Sequence, residues 1–216
     1  MIQSVANINR AVRQIGMADE SEYFIKIDGF DDEAFIVEHV SVANWNLAEA
    51  DYSVDIKILG LHSIEPESLL NAKAIVSFLW RGVLAPLSCV VHQVTEANGN
   101  GDYLGYQLVL KSPLWALKNQ QHNRVFLGKS SLQIAKLILT EFLDGQYPLN
   151  VKAEDVEPYP MTVQYQESDW DFLHRILLRD GIMLHPQQSK EGLEVLLFND
   201  TSQLPLIADP LMLPFR

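Results

Sequence analysis

The sequence predicts an α+β fold, mainly β, in which an all-β part and a mixed part divide near residue 112. Two observations lead to it. Between Tyr23 and Leu110, apolar residues recur at every second position in run after run, with turn residues between the runs, as half-buried strands require. Beyond Pro113 a second period, of about 3.6 residues, appears among further strand-like runs.

The elements follow in order. Residues 1–20 set Val5, Ile8, Val12 and Ile15 on one helical stripe, too narrow to fold alone and suited to docking, which reads as an N-terminal helical arm. Tyr23, Ile25 and Ile27 alternate as a strand into the turn pair Asp28-Gly29. Phe35-Ile36-Val37 with Val40 comes next, and Ser53 to Ile58 is a period-two strand. Lys73 to Trp80 and Leu87 to Thr95 are two more. Asn98-Gly99-Asn100-Gly101 then returns the chain into Tyr103 to Leu110, the strongest hairpin signal present. In "SPLWALKNQ", Pro113 stands where a helix starts. "GKSSLQIAKLILTEFL" carries Leu132, Ala135, Leu139 and Phe142 on one helical face, widened by Ile134 and Ile138, with Ser130 or Ser131 as cap. Val125-Phe126, Met161 to Tyr165, Ile182 to Leu184 and Leu193 to Phe198 read as strands.

"VQYQESDWDFLHRILLRDGI" changes character halfway. Met161, Val163 and Tyr165 make an apolar strand face, and Thr162, Gln164 and Gln166 take the other. Ser168 then stands where an N-cap belongs, with Asp171 placed to return the bond and Asp169 in the first turn, where the helix dipole favours acid. Trp170, Leu173 and Leu177, beside Phe172 and Ile176, form a broad apolar face, and Gly181 supplies a left-handed stop. His174 and Arg175 fall on the more polar side. Glu167 and Arg175 are eight residues apart, about 12 Å of helical rise, so each is expected to have its own partner. Backbone donors at the helix start are expected for Glu167, and an acid or carbonyl of another strand for Arg175.

Composition narrows the function. Net charge is −12, from 28 acidic and 16 basic side chains, and no basic cluster offsets it, so nucleic acid and anionic membrane are poor partners. No apolar run approaches the roughly 20 residues that span a bilayer. Asn7, Asn9, Arg10 and Arg13 interrupt any signal-peptide core, and the single cysteine fits a reducing compartment; the expected location is the cytoplasm. The six histidines, at 39, 62, 92, 122, 174 and 185, show no ligand spacing, and no metal or cofactor is expected. Cys89 and His92 point to opposite faces of a strand, and Cys89 shares the core side with Leu87 and Val91. "NGNGDYLG" precedes a strand, whereas a phosphate loop opens a helix; Asp31-Asp32-Glu33 lacks the calcium-loop pattern. Ser168 lacks the glycine elbow of an acyl-transfer nucleophile. No catalytic residue is expected.

Tyr165-x-Glu167-Ser168, then Phe172-Leu173-x-Arg175 and Gly181-Ile182, resemble the "QYxESxxxFLxRLxExxGI" signature of VgrG proteins. These are spike hubs of type VI secretion, related to phage late-control D and tail-hub proteins. "SPLWALKNQQHNRVFLGKSSLQIAKLIL" and, upstream, Arg81-Gly82 with the "VVHQV…DYLGYQLVL" hairpin are similar in order, so the resemblance covers residues 22–200. It implies two β-barrel-like tail-hub domains with inserted helices. The first is expected at 21–112, with 200–216 a candidate to complete it; the second, mixed α/β in character, at 113–199. It further implies a homotrimer docked on a hexameric inner-tube protein, with baseplate and effector proteins as partners, no stable membrane insertion, and export by the secretion apparatus without a signal peptide. An oligonucleotide-fold domain and a β-helical needle normally follow in the family. Arg216 precedes both, which leaves a piece of a longer protein and a short homologue as alternatives. Met183-Leu184-His185 stands where the family has an aromatic pair, which puts that strand's packing in question. Two other functions were weighed: a β-barrel carbohydrate-active enzyme using Glu154/Asp155 or Glu167/Asp169, and a peptide-binding adaptor acting by strand addition.

Overall fold

The computed structural model describes residues 23–46, 51–60, 63–80, 83–189 and 192–203. The expected arm at 1–20, His62 and residues 204–216 lie outside them. The chain divides into two compact units, one drawn from Met1–Ala116 with Pro186–Leu193 and the other from Leu117–His185 with Glu194–Arg216.

The first unit is an antiparallel sheet of six strands: β1 (Tyr23–Ile27), β2 (Phe35–Asn46), β3 (Asp51–Gly60), β4 (Lys73–Trp80), β5 (Val83–Asn100) and β6 (Tyr103–Lys111). Their order is β1-β4-β5-β6-β3-β2. The alternation seen in the sequence is the cause. In β3, Tyr52, Val54, Ile56 and Ile58 are buried while Ser53, Asp55 and Lys57 between them are half-exposed. One apolar cluster collects these with Ile25 and Ile27 of β1, Phe35 of β2, Val76 of β4, Cys89 of β5 and Leu108 of β6. A flat sheet could not bring both its edge strands to one cluster, so this sheet curls around its core. Register shifts in β2 after Val37 and Val42, and in β5 after Val91, supply local bends. The β5–β6 hairpin needs its glycines: a Cβ at Gly105 would lie 2.4 Å from the Asn98 carbonyl oxygen. Four residues, Pro66–Leu69, form a short helix α1 whose Leu69 joins the same core; sequence periodicity cannot register so brief an element.

The segment at Pro113 is helical but of the tighter 3-10 kind, Pro113–Lys118, with Leu114 and Leu117 buried. The second unit is mixed. Its strands β7 (Gln121–Lys129) and β9 (Tyr159–Ser168) pair as an antiparallel ribbon. β8 (Leu149–Val151), β10 (Met183–Ser189) and β11 (Gly192–Phe198) form a three-stranded sheet ordered β10-β11-β8, in which β8 runs parallel to β11. The barrel-like sheet is thus that of the first unit; the second carries the β7/β9 ribbon, two helices and β8 with parts of β10 and β11, of which residues 186–189 and 192–193 count with the first.

Helix α2 (Ser131–Leu143) starts at Ser130, whose Oγ accepts from Gln133 N at 3.1 Å while Gln133 Oε1 accepts from Ser130 N at 3.3 Å, a reciprocal cap. Its buried face is Leu132, Ile134, Ala135, Ile138, Leu139 and Leu143; Phe142, assigned to that face from spacing, is only half-buried. Helix α3 (Asp169–Arg179) ends as expected at Gly181, with φ +69°. There Ile182 N donates to the Leu177 carbonyl at 2.9 Å and Gly181 N to that of Leu178 at 3.1 Å, the paired bonds of a left-handed helix stop.

The ribbon turns its apolar face outward. Met161, Val163 and Tyr165 are 60%, 38% and 69% exposed, while Thr162 and Gln164 are 5% and 1% exposed. Alternation separates two faces without saying which is inner, and here a polar network draws the other face inward.

Candidate functional site

The junction from β9 into α3 gathers the residues the sequence singled out. Gln166 sits at φ +49°, and β7 and β9 lose register there, His122 facing Glu167 and Asn123 facing Tyr165. Gln166 N is held by Asn123 Oδ1 at 3.0 Å. This extra residue is a β-bulge, and it re-phases the strand so that Glu167 and Ser168 address the helix.

Glu167 and Arg175 pair directly, against expectation. Arg175 Nε donates to Glu167 Oε2 at 3.1 Å and its Nη2 to Oε1, a two-pronged contact, while Nη2 also donates to the Val163 carbonyl at 3.0 Å. Helical rise does not separate the two because Glu167 precedes the helix. The bulge folds Glu167 back over the first turns, and helical side chains lean towards the N-terminus, so Arg175 reaches it. The carbonyl that serves Arg175 belongs to β9, the strand that carries Glu167, and not to another strand as expected. Backbone donors at the helix start are not what the Glu167 carboxylate holds; it holds Arg175. The carboxylate raises the Arg175 pKa further above its ordinary value.

Ser168 caps α3: its Oγ accepts from Asp171 N at 3.0 Å and donates to Asp171 Oδ2 at 2.7 Å, so the return bond reaches the hydroxyl. Beneath the ribbon lies a network that the sequence did not disclose. Asp169 Oδ1 accepts from Arg124 Nη1 at 2.6 Å and from Gln164 Nε2 at 2.7 Å. Gln164 Oε1 accepts from Arg124 at 3.3 Å, and its amide also donates to the Glu167 carbonyl at 3.2 Å. His122 Nε2 stands 3.6 Å from Asp169 Oδ2. Arg124 and Gln164 are cross-strand neighbours, so two long polar residues at matching positions of paired strands were the available signal. Reading it required the pairing first.

Of the remaining signature residues, Phe172 is fully buried and stacks on Phe126 with ring centroids 5.7 Å apart. Leu173 and Ile182 are fully buried, and Tyr165 lies on the open ribbon face. Asp155, one of the weighed carboxylates, accepts from Ser130 Oγ at 2.5 Å and Gln133 Nε2 at 3.1 Å. The Ser130 bond holds its carboxyl below the ordinary Asp value. Glu154 beside it is exposed. Thus Glu167, Asp169 and Asp155 are each engaged in positioning a helix or a strand. Among the described residues no three His, Cys, Asp or Glu side chains gather to hold a metal ion. His92 lies against Trp115, His174 against Trp170, and His185 edge-on to Phe198, a replacement for the aromatic contact that Met183-Leu184-His185 had put in question. Burial raises the Cys89 thiol to about 12, far from a nucleophile's range. No helix among the described residues is long and apolar enough to cross a membrane.

The sequence matches the phage tail baseplate hub (GPD) family over residues 48–216. It is 28% identical over 203 residues to the type VI secretion system spike protein VgrG3 of Vibrio cholerae, covering 88% of this chain and 19% of that protein. The actin cross-linking toxin VgrG1 of the same species is 27% identical over 192 residues, covering 83% of this chain and 17% of its own length. The chain therefore spans about a fifth of these relatives. Among solved structures, an Escherichia coli component of the type VI secretion system, similar to bacteriophage T4 tail proteins, superimposes with a TM-score of 0.63 at 22% identity. That likeness covers 85% of this chain and 52% of the other and concerns the fold.

Proposed function

Because this chain belongs to the phage tail baseplate hub (GPD) family, we propose that it is a structural hub segment of a contractile injection machine, part of the trimeric base of a type VI secretion spike. The observation that carries this is the extent of the match, which spans residues 48–216 and so reaches from the first compact unit through the second. On this reading the curled sheet within 21–112 and the mixed unit within 113–199 are the first and second hub domains, and the signature residues Tyr165, Glu167, Ser168, Phe172, Leu173, Arg175, Gly181 and Ile182 keep the second one in shape. The partners are two further copies of the chain, a hexameric inner-tube protein, and baseplate and effector proteins. Assembly takes place in the cytoplasm and export follows with the spike. The chain is not an enzyme on this reading: Asp169, Glu167 and Asp155 hold Arg124, Arg175 and Ser130, and a group committed to such a bond is poorly placed to exchange protons with a substrate. The engagement of those acids also weighs against the carbohydrate-active reading.

The test is to mix the intact protein with purified rings of the cognate tube protein and image the particles by electron microscopy. Rings capped on one end by a three-lobed density are expected. Uncapped rings, together with a hydrolase activity that disappears in Glu167→Gln at unchanged melting temperature, overturn the proposal.

A further inference from the structure

The β7/β9 ribbon has its polarity inverted. An antiparallel ribbon with one covered side normally turns its polar side to water. Here the covered side holds Arg124, Thr162 and Gln164, and the open side holds Val125 opposite Val163, Leu127 opposite Met161, and Tyr165 opposite Asn123. Val125 and Leu127 are 61% and 67% exposed. Single exposed apolar side chains are ordinary, but five contiguous across a ladder mark a surface that is covered in use. The ribbon cannot turn over to hide them. A slip of one residue would carry Arg124 and Gln164 away from Asp169 and Phe126 away from Phe172.

Charge selects the occupant. The chain carries −12, so two copies repel except where a surface bears no charge. The open face is such a window, with no Asp, Glu, Lys or Arg among its six side chains. Its content of methionine, tyrosine and aliphatic residues without acids is the make-up of an interface centre. A basic partner attracted to this acidic chain would find no carboxylate in the face to meet it. We propose that the open face of the β7/β9 ribbon, centred on Leu127 and Tyr165, is where a second copy of this chain packs. This deepens, and rests on, the trimeric hub reading. In a closed trimer each contact joins two different surfaces, so the ribbon of one copy lies against another part of its neighbour.

The test is the solution mass of the purified chain by light scattering, with folding followed by circular dichroism. Wild type is expected at the mass of three copies. The double variant Leu127→Lys with Tyr165→Lys is expected to fall to one copy with an unchanged spectrum. Leu137→Lys and Leu178→Lys, which place the same charge on exposed helical positions off the ribbon, are expected to remain at three. Should the double variant fail to fold, Tyr165→Ser, which adds no charge, is expected to weaken association at least tenfold. A ribbon variant that associates like wild type overturns the proposal; a helix variant that dissociates while the ribbon variants also do marks the surface of the neighbour that receives the ribbon. A wild type that stays a single copy yet caps tube rings overturns the proposal and leaves the hub reading standing. Ribbon-dependent association without ring capping does the reverse.

Discussion

At the residue scale, the two carboxylate contacts at the β9–α3 junction have unequal weight. The Glu167–Arg175 pair joins a largely covered acid to a half-exposed base, so solvent weakens it despite its two-pronged geometry. Glu167→Gln is expected to lower stability by about 1 kcal/mol in urea titration, and Arg175→Lys to cost a similar amount by losing the second prong and the Val163 carbonyl. Asp169 is more deeply enclosed, and removing it leaves Arg124 and Gln164 with donors facing no acceptor. Asp169→Ala is therefore expected to cost about 2–3 kcal/mol by the same measurement. His185 provides a pH dependence. Burial lowers its pKa below 6.5, so the folded chain keeps the ring neutral while the unfolded chain protonates it. The contribution is fully present above pH 6.5 and is lost as pH falls through the lower, folded value. His185→Phe, which keeps a ring against Phe198, is expected to remove that slope from melting temperatures measured between about pH 5 and 8.

At the scale of the element, α3 is held by a cap, a stop and one aromatic stack. Phe172 fills the space against Phe126 with no exposure, and Phe172→Ala is expected to cost about 3–5 kcal/mol in unfolding free energy. The same truncation at exposed Leu178 should cost less than about 0.5 kcal/mol. Helix α2 depends on its start: Ser130 both caps the helix and holds Asp155, so Ser130→Ala is expected to lose about 1–2 kcal/mol, above an ordinary cap. Both helices were legible because capping residues, apolar spacing and a stop glycine are local signals. The four residues of α1 and the three of β8 were not, since neither is long enough to repeat its pattern twice.

Across the whole molecule, Cys89 reports on the curled sheet. It is fully buried with its thiol raised to about 12, so thiol reagents are expected to label it only across the unfolding transition. Labelling at the native plateau would mean that the sheet opens on its own. The sequence alone determined the mainly β class, the change of character after Pro113, the Ser168 cap of α3, a serine cap for α2 narrowed to Ser130 or Ser131, and membership of a hub family. Each of these is written in local period, local hydrogen bonding or the order of a motif. Tertiary structure decided three things. It folded Glu167 back onto Arg175 through the bulge at Gln166, which a count of helical rise could not foresee. It brought Arg124 beneath Gln164 and both onto Asp169, residues 45 apart in the chain in the case of Arg124 and Asp169. It also chose which side of the β7/β9 ribbon faces the core. An alternating pattern is symmetric between its two faces, so only the surface that packs against one of them, here α3 with its buried Asp169, can break the tie.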